Sequence, residues 1–159
     1  MTWAVASAPV GGAEAEGILL AYYADIVGRY YRRAATRDEV RAAMAAEPSA
    51  GLTPPEGRFL LGRYDGEVAG CVGVRLLEPG MGELARVYVR PELRGTGGGA
   101  ALLGAAEAAA RELGATVLRL DTRADLVEAR ALYAAHGYQE IPAYHDGPYA
   151  DHFFEKTLR

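Results

Sequence analysis

The stretch Arg94-Gly95-Thr96-Gly97-Gly98-Gly99 and the alanine- and leucine-rich run after it state the most explicit chemistry in the chain. An apolar, β-favouring segment containing Leu84, Val87 and Val89 leads into it, and Pro91 stops that segment because proline cannot donate to a strand ladder. Glycines let backbone come close to a ligand, and the first turn of a helix offers unpaired N–H groups at the positive end of its dipole. The loop from Gly95 to Ala100 is therefore read as the seat of a phosphate-bearing ligand. Arg94 beside it either offsets phosphate charge or is a solvated loop residue. One arrangement with such a loop is a dinucleotide site, since Gly95-x-Gly97-x-x-Ala100 follows a strand and Asp121 ends the next one. A P-loop is excluded, because no Gly-Lys-Ser/Thr occurs. Other reactive residue types are sparse. Cys71 is the only cysteine and sits in the apolar pattern VAGCVGV, which reads as a buried thiol. His136, His145 and His152 lack metal-ligand spacing, and no metal is expected. Tyr133, judged on spacing alone, is a core tyrosine of a helix.

The elements that must position these residues follow from periodicity and turn signals. Residues 2–8 read as a strand, and 13–33 as a helix with Ile18, Leu19, Tyr22, Tyr23, Ile26, Val27 and Tyr30 on one broad face. Gly17 and Gly28 weaken that helix and mark an end or a kink. Thr36 followed by Glu39 is a capping box, opening a second helix to about Ala46. Residues 47–57, with three prolines, form a loop. Three strands joined by tight turns come next, at 58–64, 67–77 and 83–89, with Asp65-Gly66 as a hairpin turn. The helix after the glycine loop spans 98–113, with Gly114 as its cap, and is followed by a strand at 116–120. That unit should be a right-handed parallel crossover. A helix at 125–136, a short strand at 138–141 and a last strand at 151–158 complete the order. The fold class is α/β in the mixed α+β sense: one mixed, mostly antiparallel sheet with helices on both faces. An antiparallel meander and a single crossover argue against a full dinucleotide domain.

At 159 residues the chain is expected to be one domain, residues 1–159, with a sizeable core. Seventeen Lys and Arg against 21 Asp and Glu give a net charge of −4, with no basic stripe of the kind nucleic acid requires. The acidic balance suits a cationic or amine substrate. No apolar run reaches membrane-span length, the first residues lack the pattern of a secretion signal, and a lone cysteine suits a reducing compartment. A cytoplasmic location is expected.

Two motifs extend this reading. Arg94-x-x-Gly97-x-Gly99, after a strand ending Tyr88-Val89-Arg90-Pro91-Glu92, resembles the acetyl-CoA-binding motif of the GNAT superfamily of N-acetyltransferases. The run Ala129-Arg130-Ala131-Leu132-Tyr133-Ala134-Ala135-His136-Gly137-Tyr138 is similar to that superfamily's A-x-x-L-Y-x-x-x-G-[FY] segment. The resemblance covers roughly residues 58–158 and includes the element order. Leu118-Arg119-Leu120-Asp121-Thr122, with Ile141-Pro142-Ala143-Tyr144, resembles a bacterial subgroup of mostly unassigned small-molecule acetyltransferases. The chain departs from the family pattern at Gly98, where Ile or Leu is frequent, and at Leu126, where many members carry an Asn that contacts pantetheine.

The resemblance implies acetyl-CoA as co-substrate. It places the CoA pyrophosphate on the backbone of Gly95, Thr96, Gly97, Gly98, Gly99 and Ala100, and the pantetheine arm along Val87, Tyr88 and Val89. The sheet should splay between that strand and the one at 116–120. Tyr133 would protonate the leaving sulfur. An amine with pKa near about 10.4 is almost wholly protonated at neutral pH, so a base assists. Glu83 is the carboxylate best placed for that, unless it is an exposed residue after the turn before it. Asp121 would bind a cationic acceptor or cap the next helix, and Tyr31 (or Tyr30) and His145 would line the acceptor site. The acceptor is expected to be a primary amine of a small molecule attacked directly in a ternary complex, with polyamine, amino acid, antibiotic and protein N-terminus all open. A homodimer is a common assembly among such proteins. A non-catalytic acyl-CoA-binding domain is the other reading, and an intact Tyr133 speaks against it.

Overall fold

Alternation of side chains along the strands builds two cores, one on each face of a single sheet. In a computed structural model, which describes residues 2–158, Phe59, Leu61, Cys71 and Tyr88 pack on one face and Leu60, Val72, Val74 and Leu84 on the other. The period of two along a strand requires this division. The first face is covered by α1 (Ala13–Tyr31) and α2 (Arg37–Ala46), through Ile18, Leu19, Tyr23 and Val40. The second is covered by α3 (Gly98–Glu112) and α4 (Val127–Ala135), through Leu102, Leu103, Ala106, Ala110 and Tyr133.

The strands among the described residues are β1 (Trp3–Ser7), β2 (Gly57–Tyr64), β3 (Glu67–Glu78), β4 (Met81–Val89), β5 (Val117–Thr122), β6 (Gln139–Ile141) and β7 (His152–Thr157). Their order in the sheet is β1-β2-β3-β4-β5-β7-β6, and only β4 and β5 run parallel. The expected element order holds throughout. A single parallel pair rules out the dinucleotide-type sheet, which needs repeated crossovers.

Three details differ from the sequence reading. The first helix neither ends nor kinks at Gly17 or Gly28 but runs to Tyr31, closing with Arg32 in the left-handed conformation at φ 59°. Gly28 serves the turn beyond: a Cβ there would lie 3.1 Å from the Arg33 carbonyl oxygen as the chain folds back. The broad face of α1 also splits, with Ile18, Leu19 and Tyr23 entering the core while Tyr22, Ile26, Val27 and Tyr30 face a cleft. Strand β5 continues past Leu120 because β7 pairs with it as far as Thr122, and α4 begins only at Val127. Asp121 is thus a strand residue, and no side chain caps α4. The capping box of α2 forms as expected, with Thr36 Oγ1 accepting from Glu39 N–H at 3.1 Å and Glu39 Oε1 accepting from Thr36 N–H at 2.9 Å.

Gly98 is explained by packing. A Cβ there would lie 2.4 Å from the Trp3 indole. The indole Nε1–H donates to Thr96 Oγ1 at 2.9 Å, and the Thr96 hydroxyl donates to the Leu93 carbonyl at 2.5 Å. The first strand therefore clamps the glycine loop, and the family's larger residue has no room. Gly104, in the same helix, has open space around a Cβ. Gly98→Ala should destabilise the protein by about 1–3 kcal/mol through overpacking. Gly104→Ala should stabilise it by about 0.5–1 kcal/mol. Denaturant midpoints measure both, and shifts of the same sign would contradict the packing described.

Candidate active site

A cleft of about 1290 Å³ opens where β4 and β5 part. The two strands pair only from Met81↔Val117 to Glu83↔Arg119. Beyond Glu83, β4 bulges: Cys71 faces Tyr88 while Gly73 faces Ala85, so Arg86 and Val87 together oppose Val72. Arg86 takes φ 57°, and its carbonyl accepts from the buried Cys71 thiol at 3.2 Å. Burial pushes that thiol's pKa up, so Cys71 is structural, as its setting in the sequence suggests. Arg90 N–H donates to Ala69 on the β3 side. Alternation then turns the N–H groups of Val87 and Val89 to the open edge, where the expected splay of the sheet is found.

At one end of the cleft lies the N-terminus of α3. Gly95 and Gly97 adopt φ 86° and 93°, with nothing within 4 Å of a Cβ at either. The N–H groups of Gly95 to Ala100 have no backbone acceptor among the described residues. These residues fit a diphosphate: open space, free donors and a helix dipole converge there. Gly95, Gly97, Gly98, Gly99 and Ala100 line the cleft, whereas the Thr96 side chain turns to Trp3. Arg94 lines it too, but its charge is engaged. Nη2 lies 3.1 Å from Asp25 Oδ2 and Nε donates to the Val89 carbonyl at 3.2 Å. Next to it, Arg29 of α1 binds Glu128 of α4, with Nη2–Oε2 at 2.8 Å. The hydrogen bond from Arg29 holds the Glu128 carboxyl below the usual range. These four side chains tie α1, the glycine loop and α4 together beside the cleft.

The other end gathers acids, a histidine and tyrosines. Glu83 is only 7% exposed, so it is a buried carboxylate rather than an exposed turn residue. Its Oε1 accepts from Arg75 Nη2 at 2.9 Å and Nε at 3.1 Å, and its Oε2 accepts from the Tyr144 hydroxyl at 2.7 Å. His145 Nε2 lies 2.8 Å from Asp121 Oδ2, and Gly147 N–H donates to His145 Nδ1 at 3.0 Å. That leaves the ring proton on Nε2, donated to Asp121. Donor atoms of Glu83, Asp121 and His145 lie within 4.8 Å of one another, a grouping that their spacing in the sequence does not show. Tyr133, 5% exposed, packs edge-on against Tyr138 and reaches the cleft, and burial pushes its hydroxyl pKa up. Tyr31 lines the mouth half-exposed beside Tyr30, which meets Tyr149 of the β6–β7 loop at 5.4 Å between ring centres. Leu126 lines the cleft at the position where many GNAT proteins have Asn.

Sequence reasoning missed Trp3, Arg86 and Tyr144 as site residues. Trp3 gave no local signal. Arg86 had one, since the apolar positions Leu84, Val87 and Val89 break strict alternation where the bulge falls. Tyr144 was visible only as part of a family-like run.

A splayed mixed sheet with a glycine-lined helix N-terminus at one end of the cleft and a buried carboxylate and phenols at the other is the arrangement expected of a CoA-dependent acyltransferase. The comparisons agree: the chain belongs to the acetyltransferase (GNAT) family, whose model matches residues 20–138. It is 36% identical over 112 residues to the IAA acetyltransferase of Azospirillum brasilense, covering 67% of this chain and 72% of that protein. It is 37% identical over 98 residues to the aminoglycoside N(6')-acetyltransferase type 1 of Stenotrophomonas maltophilia, covering 56% of this chain and 64% of that one. The PaiA N-acetyltransferase of Thermoplasma acidophilum, solved in complex with coenzyme A, shares the fold with a TM-score of 0.75 at 18% identity over 99% of both chains. Among the described residues no helix is long and apolar enough to cross a membrane.

Ala100 is exposed on the cradle in a helical position, so Ala100→Glu adds a carboxylate there without backbone strain. Negative charge suits a helix N-terminus, so thermal stability should hold or rise. CoA affinity by calorimetry should fall at least about tenfold through repulsion of the diphosphate. Unchanged affinity would place the phosphates elsewhere.

Proposed function

We propose that the chain acts as one domain that acetylates a primary amine of a small molecule by direct attack, with amine and acetyl-CoA bound together. The convergence of Glu83, Tyr144 and Asp121 at the end of the cleft opposite the glycine loop, with Tyr133 lining the same cleft, carries this reading. Acetyl-CoA supplies an activated acetyl thioester. Gly95 to Ala100 would hold its diphosphate, and the free N–H group of Val89 its pantetheine arm. A lone buried cysteine supports a cytosolic setting.

Asp121 and Glu83 draw an ammonium into this corner. Tyr144 sits at Glu83 as a relay: its oxygen accepts a proton from the ammonium while its own proton passes to Glu83 Oε2. Arg75 fixes the Glu83 carboxylate so that Oε2 faces Tyr144. The neutral amine then forms the C–N bond as the C–S bond breaks. Tyr133 gives its proton to the departing sulfur. The second amine proton replaces it through solvent, and Glu83 releases the first to bulk. The Val87 N–H is the donor for charge developing on the acetyl oxygen.

Tyr133→Phe should lower kcat by about 10²-fold or more, within the range of general acid catalysis, while CoA still binds. Because burial raises the Tyr133 pKa, the donor form persists past the ordinary phenol value of about 10. The rate should thus climb with pH as the amine deprotonates, without a falling limb below about pH 10. A wild-type limb falling between pH 8 and about 10 that Tyr133→Phe abolishes would contradict this, as would an unchanged kcat.

A further inference from the structure

Charge matching inside the cleft leaves one arginine over. Five arginines line it. Arg29 pairs with Glu128, Arg75 with Glu83, Arg94 with Asp25 and Arg123 with Asp125. Arg86 has no carboxylate within 4.0 Å among the described residues. Its Nη2 donates to the main-chain carbonyls of Glu47 at 2.9 Å and Pro48 at 3.5 Å, and its Nε is buried without a partner. Arg130 is the other arginine with a buried, unpartnered Nε, and it does not line the cleft. The neighbouring Glu47 turns its carboxylate to the Tyr23 hydroxyl at 3.0 Å.

The backbone reinforces the point. Arg86 holds φ 57° within a strand, a left-handed conformation that is strained for a non-glycine residue. A glycine would make the same bulge more cheaply. What arginine adds is a half-buried positive charge on the cleft wall, able to attract a carboxylate.

An opposite charge is left over as well. Asp121 is bonded to His145, whose Nδ1 already accepts from Gly147 N–H, and it has no arginine or lysine partner among the described residues. Both groups line the same cleft, as does Tyr22, whose hydroxyl is acted on by Arg86 and by Asp121 with opposite effect.

We propose that the acetyl acceptor is a zwitterion of the amino-acid type, its carboxylate held by Arg86 and its ammonium by Asp121. This rests on the small-amine reading above and narrows it. The test uses matched triplets: an α-, β- or ω-amino acid, its carboxamide, and the amine lacking the carboxylate. Wild type should favour the amino acid in kcat/KM by roughly 10- to 100-fold, as a charge-assisted hydrogen-bonded pair allows. Arg86→Gln should collapse that ratio toward one, and Arg86→Lys, with charge but no planar fork, should keep part of it. CoA calorimetry on both variants confirms that they fold. Equal rates within every triplet, or a preference that survives in Arg86→Gln, would overturn the proposal. Turnover of the carboxylate-free members alone would overturn it while sparing the small-amine reading. Turnover of no triplet member by CoA-competent protein would overturn both.

Discussion

The hydrogen-bond ladder between β4 and β5 stops at Glu83↔Arg119, and the site depends on that stop. Had the strands paired along their length, the edge at Val87 and Val89 would be consumed and no cleft would form. The bulge at Arg86 and Val87 enforces the divergence. It is secured from below by the Cys71 thiol on the Arg86 carbonyl and laterally by the Arg86 side chain on Glu47 and Pro48. The same break places Glu83 at the last paired position. It is buried enough to need partners, and close enough to the opening to meet Tyr144.

Charge inside the cleft is arranged rather than merely accumulated. Arg29, Arg75, Arg94 and Arg123 are each paired with an acid, and the pairs of Arg29 with Glu128 and Arg94 with Asp25 set the spacing of α1, α4 and the glycine loop. Pairs of this exposure add little stability individually. Their effect is geometric, and they leave Arg86, Glu47 and Asp121 as the cleft's charged groups without an arginine–carboxylate partner among the described residues.

Much of the fold was legible because its signals are local. The capping box at Thr36, the Asp65-Gly66 turn, the period-two strands and the glycine loop opening into α3 each depend on residues a few positions apart. So was the glycine-lined end of the cleft, since Gly95 to Ala100 is one contiguous run. At the opposite end Glu83, Asp121 and His145 were named singly but not as a cluster, because that cluster is assembled by the antiparallel pairing of β5 with β7, which brings the loop holding Tyr144 and His145 over Asp121 and Glu83. Glu83 and Tyr144 are 61 positions apart, and no spacing rule connects them. The division of α1 between core and cleft was hidden for a related reason: periodicity reports an apolar face but not what covers each part of it. Trp3 shows the limit most clearly, as a residue of the first strand that decides what the glycine loop tolerates 93 positions later.

The central claim is that the bulged half of β4 offers an unpaired edge to the CoA arm while the half before it is already paired. Residue-resolved amide hydrogen exchange with and without CoA tests this directly. CoA should protect Val87, Val89 and the amides of Gly95 to Ala100, and leave Met81 to Glu83 as they were. Protection confined to the glycine loop, or appearing equally at Met81 to Glu83, would contradict the account.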